Sequence, residues 1–168
     1  MRILFDVVAS SAVRVFVYGT LMRGAANHAV LERVGARFLS AAVTSSPRVL
    51  VDLGPYPALL STTVPAPAEH HAAVAGEVWE LDASRLHELD AFEGAPDLYV
   101  REAISVHAKD DDSVIDGVFV YVLAAALPSS ARVILPSPGD RATRYGAIGS
   151  LLPDGAKPEQ IGPPTRRA

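Results

Sequence analysis

The 168-residue sequence contains no cysteine. This absence excludes disulfides, thiolate nucleophiles and cysteine-ligated metal sites. Long apolar runs are also lacking, because no stretch approaches the roughly 18 residues that a membrane-spanning helix needs. The start of the chain, residues 1–12, resembles a signal peptide only loosely, since Asp6 interrupts its apolar run. We interpret this segment as a leading strand or a disordered arm, and we expect a cytoplasmic protein that does not bind membranes.

Positive charge is sparse and scattered. The chain has 15 Lys and Arg against 19 Asp and Glu, a formal net charge of -4, and its only tight basic pair is Arg166-Arg167. Proteins that bind nucleic acid usually carry a basic patch, so we expect no nucleic-acid partner. The proportions of hydrophobic (49%) and charged (20%) residues are those of an ordinary globular protein. The length favours one domain with a sizeable core, and a monomer or a weak homodimer.

Runs of β-branched and apolar residues, punctuated by glycine and proline, predict a series of strands. A segment rich in aspartate, residues 109–113, separates the last two and is typical of a hairpin loop. Many strands with few helices favour an α+β domain built around a small mixed β-barrel or curled sheet. The predicted strands are 13–17, 38–44, 49–53, 58–61, 73–81, 99–107 and 117–123.

Two short helices are predicted between these strands. The first spans residues 28–34 after an N-cap at Asn27, and the second spans residues 83–92 after an N-cap at Asp82. Gly35 closes the first helix, and Gly94 and Pro96 stop the second.

The chain divides into three parts by composition. Residues 1–12 are the extension or leading strand, and residues 13–127 form the domain. Residues 128–168 are a tail that holds seven of the thirteen prolines. This tail shows no clear period, so we expect it to pack on the domain or to be partly disordered.

The turn after the first predicted strand is the first candidate site. It consists of Tyr18, Gly19, Thr20 and Leu21. Glycine permits unusual backbone angles and close approach of a ligand. Successive backbone N–H groups in such a turn can bind an anion. Many strand–glycine–helix turns bind nothing, however, so a purely structural turn is the alternative.

The end of the second predicted helix is the other candidate site. Glu93 shares a helical face with Leu86 and Leu89, because offsets of four and seven residues lie on one side. A carboxyl group turned toward apolar surroundings has a raised pKa, and an ionised Asp90 three residues earlier would raise the pKa further. Such a group suits general acid–base catalysis. The alternative is that Glu93 borders the core or pairs with Arg101.

Other reactive side chains lack a catalytic or metal-binding pattern. His70 and His71 are adjacent in a proline-rich stretch, which favours a surface loop over a metal site. The sequence has no HExxH, GxSxG, GxGxxG or Walker motif. Tyr99 and Tyr121 fall on predicted strands as core residues, but their hydroxyl groups need partners if buried and could line a pocket.

Short motifs in a fixed order carry a family resemblance over residues 13–123. They are Phe16-Val17-Tyr18-Gly19-Thr20-Leu21, Arg23-Gly24, Asn27-His28, Tyr56-Pro57, Gly76-Glu77-Val78, Leu89-Asp90-Ala91-Phe92-Glu93-Gly94, Leu98-Tyr99-Val100-Arg101 and Val118-Phe119-Val120-Tyr121. Each motif is unspecific alone. Their ordered combination resembles the γ-glutamylcyclotransferase-like enzymes, and most closely the γ-glutamylamine cyclotransferase branch.

The resemblance implies a barrel-like sheet with a pocket at the end of the first strand. It implies that backbone N–H groups of the Tyr18-Gly19-Thr20-Leu21 turn hold the α-carboxylate of a small γ-glutamyl substrate. Glu93 matches the catalytic glutamate, and Tyr99 and Tyr121 match positions that line the pocket. The implied reaction converts a γ-glutamyl amide into 5-oxoproline and a free amine.

That reaction agrees with the side chains that the sequence lacks. The substrate's own α-amine attacks its γ-carbonyl, so neither a protein nucleophile nor a metal or organic cofactor is required. Well-oriented intramolecular reactions reach effective molarities of about 10⁵ M or more. One glutamate can take a proton from the α-ammonium group and deliver it to the leaving amine.

Three other functions remain possible on sequence grounds. The same fold could serve as a non-catalytic carboxylate-binding or regulatory module. The enzyme could instead hydrolyse the amide and release glutamate. An interaction domain that works through the proline-rich tail is disfavoured, because the tail has no repeated PxxP. The sequence also leaves open whether Tyr145 or residues 153–164 close over the site.

Overall fold

The fold was determined as a computed structural model that describes residues 11–137 and 139–145. The expectations for residues 1–10 and 146–168, including a closing role of residues 153–164, lie outside the described residues.

The described residues form nine strands and two α-helices, with two 3-10 turns, Ala68–His70 and Ala83–Arg85. All seven predicted strands are present, with ends displaced by at most a few residues. The two additional strands contain two residues each, too few to show a period in the sequence. The elements are β1 (Ala12–Val17), α1 (Ala29–Arg33), β2 (Arg37–Thr44), β3 (Leu50–Asp52), β4 (Pro57–Leu59), β5 (Ala73–Asp82), α2 (Leu86–Glu93), β6 (Tyr99–Ala108), β7 (Val114–Leu123), β8 (Arg132–Val133) and β9 (Ala142–Thr143).

Five strands close into a barrel. They are hydrogen-bonded in the order β1-β7-β6-β2-β5, and β1 also pairs with β5. The β1–β7 contact is parallel and the other four barrel contacts are antiparallel. β9 adds to β5 as a sixth strand, and β3, β4 and β8 form a separate small sheet. The predicted α+β fold with a small mixed barrel and two short helices is confirmed.

Alternating side chains on the barrel strands fill two cores. Phe16, Val78 and Val120 belong to a cluster that draws on all five barrel strands and fills the interior. Val15, one residue before Phe16, packs instead in the second cluster, with the helix residue Leu31. Successive residues of β1 therefore point alternately to the barrel interior and to the outer surface that the helices cover. The end of β1 lies between these two cores.

The second helix begins and ends as the sequence predicts. Asp82 caps it, since its Oδ1 accepts a hydrogen bond from the Ser84 backbone N–H at 2.8 Å. The first turn is 3-10, and the α-helix proper starts at Leu86. Gly94 follows the helix with φ 65°, a left-handed conformation that favours glycine.

The prediction of an N-cap at Asn27 is wrong. The first helix begins at Ala29 after His28, and no side-chain hydrogen bond caps it. The main chain of Asn27 closes the preceding turn instead, because its N–H donates to the Thr20 carbonyl at 2.9 Å and its own carbonyl accepts from the Val30 N–H at 3.0 Å.

Part of the proline-rich segment packs on the barrel. β8 pairs with β3, and β9 pairs with β5. The Ile134 N–H donates to the Leu50 carbonyl at 2.8 Å, and the Thr143 hydroxyl donates to the Ile134 carbonyl at 3.0 Å. Tyr145 packs against the interior cluster. No helix among the described residues is long and apolar enough to cross a membrane.

Candidate active site

A cavity opens where β1 ends. Its walls come from the turn after β1, from the segment around β4, from the end of α2 and from one tyrosine each on β6 and β7. All seven predicted site residues line it: Tyr18, Gly19, Thr20, Leu21, Glu93, Tyr99 and Tyr121. The structure thus brings together two segments that lie about 70 residues apart in the sequence.

Further residues line the cavity without having been predicted as site residues. Most of them are apolar, and they form the walls around Glu93. They are Phe16, Val17, Asn27, Pro55, Tyr56, Pro57, Phe92 and Leu98. All but Pro55 belong to the ordered motifs of the sequence, which is the signal that would have found them. Tyr145, left open by the sequence, is not among the lining residues.

The turn Tyr18–Leu21, which we call the donor loop, carries backbone donors without partners. No described residue accepts a hydrogen bond from the N–H groups of Gly19, Thr20 or Leu21. Their carbonyl groups, by contrast, are all engaged by the following segment. Met22 N lies 3.1 Å from Gly19 O, Asn27 N 2.9 Å from Thr20 O, and His28 Nδ1 3.0 Å from Leu21 O. Free donors with engaged acceptors make this part of the cavity wall suited to an anion.

Close packing explains the glycine in the donor loop. A Cβ atom at Gly19 would lie 2.7 Å from Cγ and 3.1 Å from Cδ of Pro57. Both distances are shorter than ordinary van der Waals contact, and a proline ring moves less easily than a flexible side chain. Gly19 therefore allows the donor loop to lie directly against β4.

Glu93 is the last residue of α2 and faces the cavity. It shares the helix face of Leu86 and Leu89, which are both buried, as the spacing predicted. Its carboxyl group has no hydrogen bond or ion pair with any described residue. Burial raises the pKa of the Glu93 carboxyl from 4.5 to about 7. The group therefore exists in both protonation states near neutral pH.

The alternative pairing of Glu93 with Arg101 is wrong. Arg101 pairs with Asp90, with Nε 2.8 Å from Oδ1, and the Tyr121 hydroxyl donates to the same oxygen at 2.8 Å. The expected contribution of Asp90 to the pKa of Glu93 is also not found, since burial alone accounts for the rise. Asp90 turns toward β6 and β7, where its charge is compensated.

Three of the four tyrosines that line the cavity donate hydrogen bonds to protein acceptors. Tyr18 donates to the Tyr121 carbonyl at 2.8 Å, Tyr99 to the Pro57 carbonyl at 3.2 Å, and Tyr121 to Asp90. Burial raises the pKa of each of the three hydroxyl groups well above the usual value. No His, Lys, Arg or second acid is among the described residues that line the cavity. Glu93 is thus the one carboxyl group among these described lining residues, and its pKa lies near neutral pH.

The raised pKa makes stability depend on pH in a testable way. The ionised carboxylate is disfavoured in the folded protein, so its cost is absent below pH 4.5, grows between pH 4.5 and about 7, and stays constant above that. At about 1.4 kcal/mol per pKa unit, Glu93→Gln should raise the free energy of unfolding at pH 8 by up to about 3 kcal/mol. The gain should shrink toward pH 5, as urea unfolding at both pH values would measure.

Glu88→Gln is the matched control for this prediction. Glu88 lies on the same helix, but Arg85 lowers the pKa of its carboxyl, so the substitution should bring no gain in stability at pH 8. A gain from Glu93→Gln that is equal at pH 5 and pH 8 would contradict the raised pKa of Glu93.

Sequence comparison finds one family along most of the chain. The profile of the family described as "Gamma-glutamyl cyclotransferase, AIG2-like" matches residues 15–140. A gamma-glutamylaminecyclotransferase of Rattus norvegicus is 34% identical over 145 residues, which cover 78% of this chain and 94% of the rat protein. A putative gamma-glutamylcyclotransferase of Drosophila melanogaster is 37% identical over 106 residues, which cover 61% of this chain and 66% of the fly protein.

Solved structures share the fold. The crystal structure of an AIG2-like protein from Mus musculus superimposes with a TM-score of 0.59 at 32% identity, covering 70% of this chain and 80% of the mouse chain. A Kluyveromyces lactis allophanate hydrolase superimposes with a TM-score of 0.56 over 74% of this chain and 19% of that chain. At 18% identity, this second likeness is one of fold alone.

Proposed function

The chain belongs to the gamma-glutamyl cyclotransferase, AIG2-like family, and on this premise we propose that it converts a γ-glutamyl amide into 5-oxoproline and a free amine. Glu93 is the general acid and base of the proposed reaction, and the donor loop binds the α-carboxylate of the substrate. The proposed substrate is a small molecule. The proposed location is the cytoplasm, and the proposed oligomeric state is a monomer or a weak homodimer.

One observation carries this proposal. Among the described residues, one carboxyl group lines the cavity, with a pKa raised to about 7, together with three backbone N–H groups that no described residue accepts from. A site that only binds an anion needs the N–H groups of the donor loop but gains nothing from Glu93. An ionised carboxylate would repel the bound anion in a partly buried site. A catalyst that binds a carboxylate and moves a proton needs both.

Substrate binding in this scheme folds the γ-glutamyl group. Its α-carboxylate accepts hydrogen bonds from the donor loop, and its α-ammonium group lies toward Glu93 and the tyrosine hydroxyl oxygens. Holding the α-nitrogen near the γ-carbonyl makes the attack intramolecular, which is the main source of rate enhancement. The donor loop and the tyrosines thus act by orientation.

The proton steps balance without any further group. Ionised Glu93 takes one proton from the α-ammonium, and the free α-amine attacks the γ-carbonyl carbon to form the C–N bond of the lactam. As the bond to the leaving nitrogen breaks, protonated Glu93 delivers its proton to that nitrogen. The second proton released by the attacking nitrogen ends on the leaving amine, which departs as an ammonium ion. Glu93 returns to its ionised form, and no metal or organic cofactor takes part.

Product identity tests the proposed reaction. The purified protein is incubated with γ-glutamyl compounds ranging from dipeptides to γ-glutamyl-ε-lysine, and the products are identified by NMR. We expect 5-oxoproline from at least one of them, and the one turned over fastest indicates the leaving amine. Glutamate as the product would show hydrolysis instead. Binding of the compounds without turnover of any would favour a carboxylate-binding module.

A further inference from the structure

We propose that Glu77 is a positioning residue that fixes the donor loop through Arg23. The inference rests on the proposed function, in which the donor loop binds the substrate carboxylate. Glu77 does not line the cavity and is not assigned to the chemical step. It acts on the orientation of the N–H groups that do line the cavity.

The start of the donor loop lies opposite Glu77. Val17, the last residue of β1, is the antiparallel ladder partner of Glu77 in β5. The next four residues are the donor loop. The barrel therefore fixes the chain at this residue pair, directly before the N–H groups of Gly19, Thr20 and Leu21.

The end of the loop region is held by the same residue. The backbone N–H of Arg23 donates to Glu77 Oε2 at 3.1 Å, and Arg23 Nε donates to Oε1 at 2.9 Å. Both carboxylate oxygens thus bind one residue, through its main chain and its side chain. The donor loop spans the short stretch between two attachments to Glu77, one by the strand ladder and one by the carboxylate.

The surroundings of Glu77 hold its carboxylate in place. Trp79, two residues further along β5, donates from Nε1 to Glu77 Oε2 at 3.1 Å. The Arg23 guanidinium lies over the ring of Phe38, 3.7 Å from its centroid, and this ring packs edge-on against Trp79. The side chain of Glu77 is only 12% exposed. This arrangement is more than a surface ion pair, because the charge-assisted bond to the main chain persists whatever the Arg23 side chain does.

Arg23 also removes an electrostatic conflict. A carboxylate beside an anion-binding loop would repel the substrate carboxylate. The guanidinium group at 2.9 Å compensates the charge of Glu77, so that the residue can act as an anchor without opposing binding.

The test is Glu77→Gln in the full chain, with two measurements. In the steady state with the γ-glutamyl compound turned over fastest, KM should rise about tenfold while kcat stays within about threefold. The substitution weakens the charge-assisted hydrogen bonds to Arg23, which follows the donor loop, but leaves Glu93 untouched. By NMR titration, the wild type should bind 5-oxoproline about tenfold more tightly than its primary carboxamide, and the variant should lose this preference. A merely structural role would weaken both ligands equally.

Glu80→Gln is the matched control. Glu80 lies on the same strand and pairs with Arg37 and Arg14, but it has no contact with the donor loop. It should keep the wild-type KM and the wild-type preference for the carboxylate. If Glu77→Gln does not fold, as judged by circular dichroism and thermal unfolding, Arg23→Gln replaces it and should show the same changes to a smaller extent, because its backbone N–H remains.

Each outcome decides the inference. A folded Glu77→Gln variant that keeps the carboxylate preference, or that loses kcat at constant KM, overturns it and leaves the proposed function intact. If Glu77→Gln does not fold, a folded Arg23→Gln variant that keeps the wild-type KM and the wild-type preference for 5-oxoproline over its carboxamide also overturns the inference. A wild type without preference for the carboxylate would overturn the proposed role of the donor loop itself, and the inference with it.

Discussion

Replacing Glu93 by glutamine is expected to lower kcat about 10²–10⁴-fold while the protein stays folded, since this is the range of general acid–base catalysis. Glutamine has nearly the shape of glutamate but cannot take up a proton from the α-ammonium group. Among its described lining residues, the cavity offers no second carboxyl, imidazole, amine or guanidinium group in its place, and Tyr18, Tyr99 and Tyr121 already donate hydrogen bonds to protein acceptors. The initial rate of 5-oxoproline release, measured near pH 8, gives the effect.

The control for this loss is again Glu88→Gln. It makes the same chemical change on the exposed side of the same helix, where Glu88 pairs with Arg85, and should leave kcat near the wild-type value. The substrate affinity of Glu93→Gln should change much less than its kcat, because the donor loop is intact. Residual turnover within a few fold of the wild type, in a folded variant, would remove Glu93 from the mechanism.

Gly19→Ala is expected to lower kcat/KM about 100-fold, because a misplacement of the substrate by about 1 Å is enough for such a loss. The added Cβ would stand 2.7 Å from Pro57 Cγ, so either the donor loop or β4 must move. Overpacking of this kind costs about 1–3 kcal/mol of stability. Steady-state kinetics and urea unfolding of the same preparation separate the two effects.

A second substitution can relieve the predicted clash. Pro57→Ala removes the ring atoms that the new methyl group would meet but keeps the carbonyl that accepts from Tyr99, so the double variant should recover part of the lost kcat/KM. Gly117→Ala is the control for backbone strain. It lies at φ 66° with nothing within 4 Å of an added Cβ, and should cost stability without affecting kinetics. Wild-type kinetics in Gly19→Ala would show that the donor loop needs no close contact with Pro57.

The sequence predicted local features of this fold well. Runs of β-branched and apolar residues predicted β1, β5 and β7. These runs are mostly apolar because residues of each strand pack in both clusters, one inside the barrel and one outside it. The spacing of Leu86, Leu89 and Glu93 predicted that the Glu93 carboxyl faces the same side as the two leucines. In a regular helix, the number of residues between two side chains determines whether they share a face. The family resemblance of the ordered motifs, rather than any local pattern, predicted that the two candidate segments share one pocket.

Features that depend on contacts between distant segments were not predictable. The bond from Arg23 to Glu77 joins residues 54 positions apart, and nothing in either local sequence indicates it. Asp90 and Glu93 share a helix face in projection, but only the placement of β6 and β7 shows that Arg101 and Tyr121 bind Asp90 and leave Glu93 free. Asn27 is a residue type that often caps a helix, but its backbone N–H is hydrogen-bonded to Thr20 of the donor loop, and its side chain caps no helix.

Mass spectrometry of the reaction in H₂¹⁸O tests the central claim most directly. A γ-glutamyl amide that the protein turns over is incubated in labelled water, and the glutamyl product is analysed at early times. Intramolecular attack of the α-amine predicts 5-oxoproline of unlabelled mass, formed by the wild type and lost in Glu93→Gln. Glutamate carrying one ¹⁸O, or 5-oxoproline that has acquired the label, would mean that water attacks the γ-carbonyl and would contradict the proposed cyclisation.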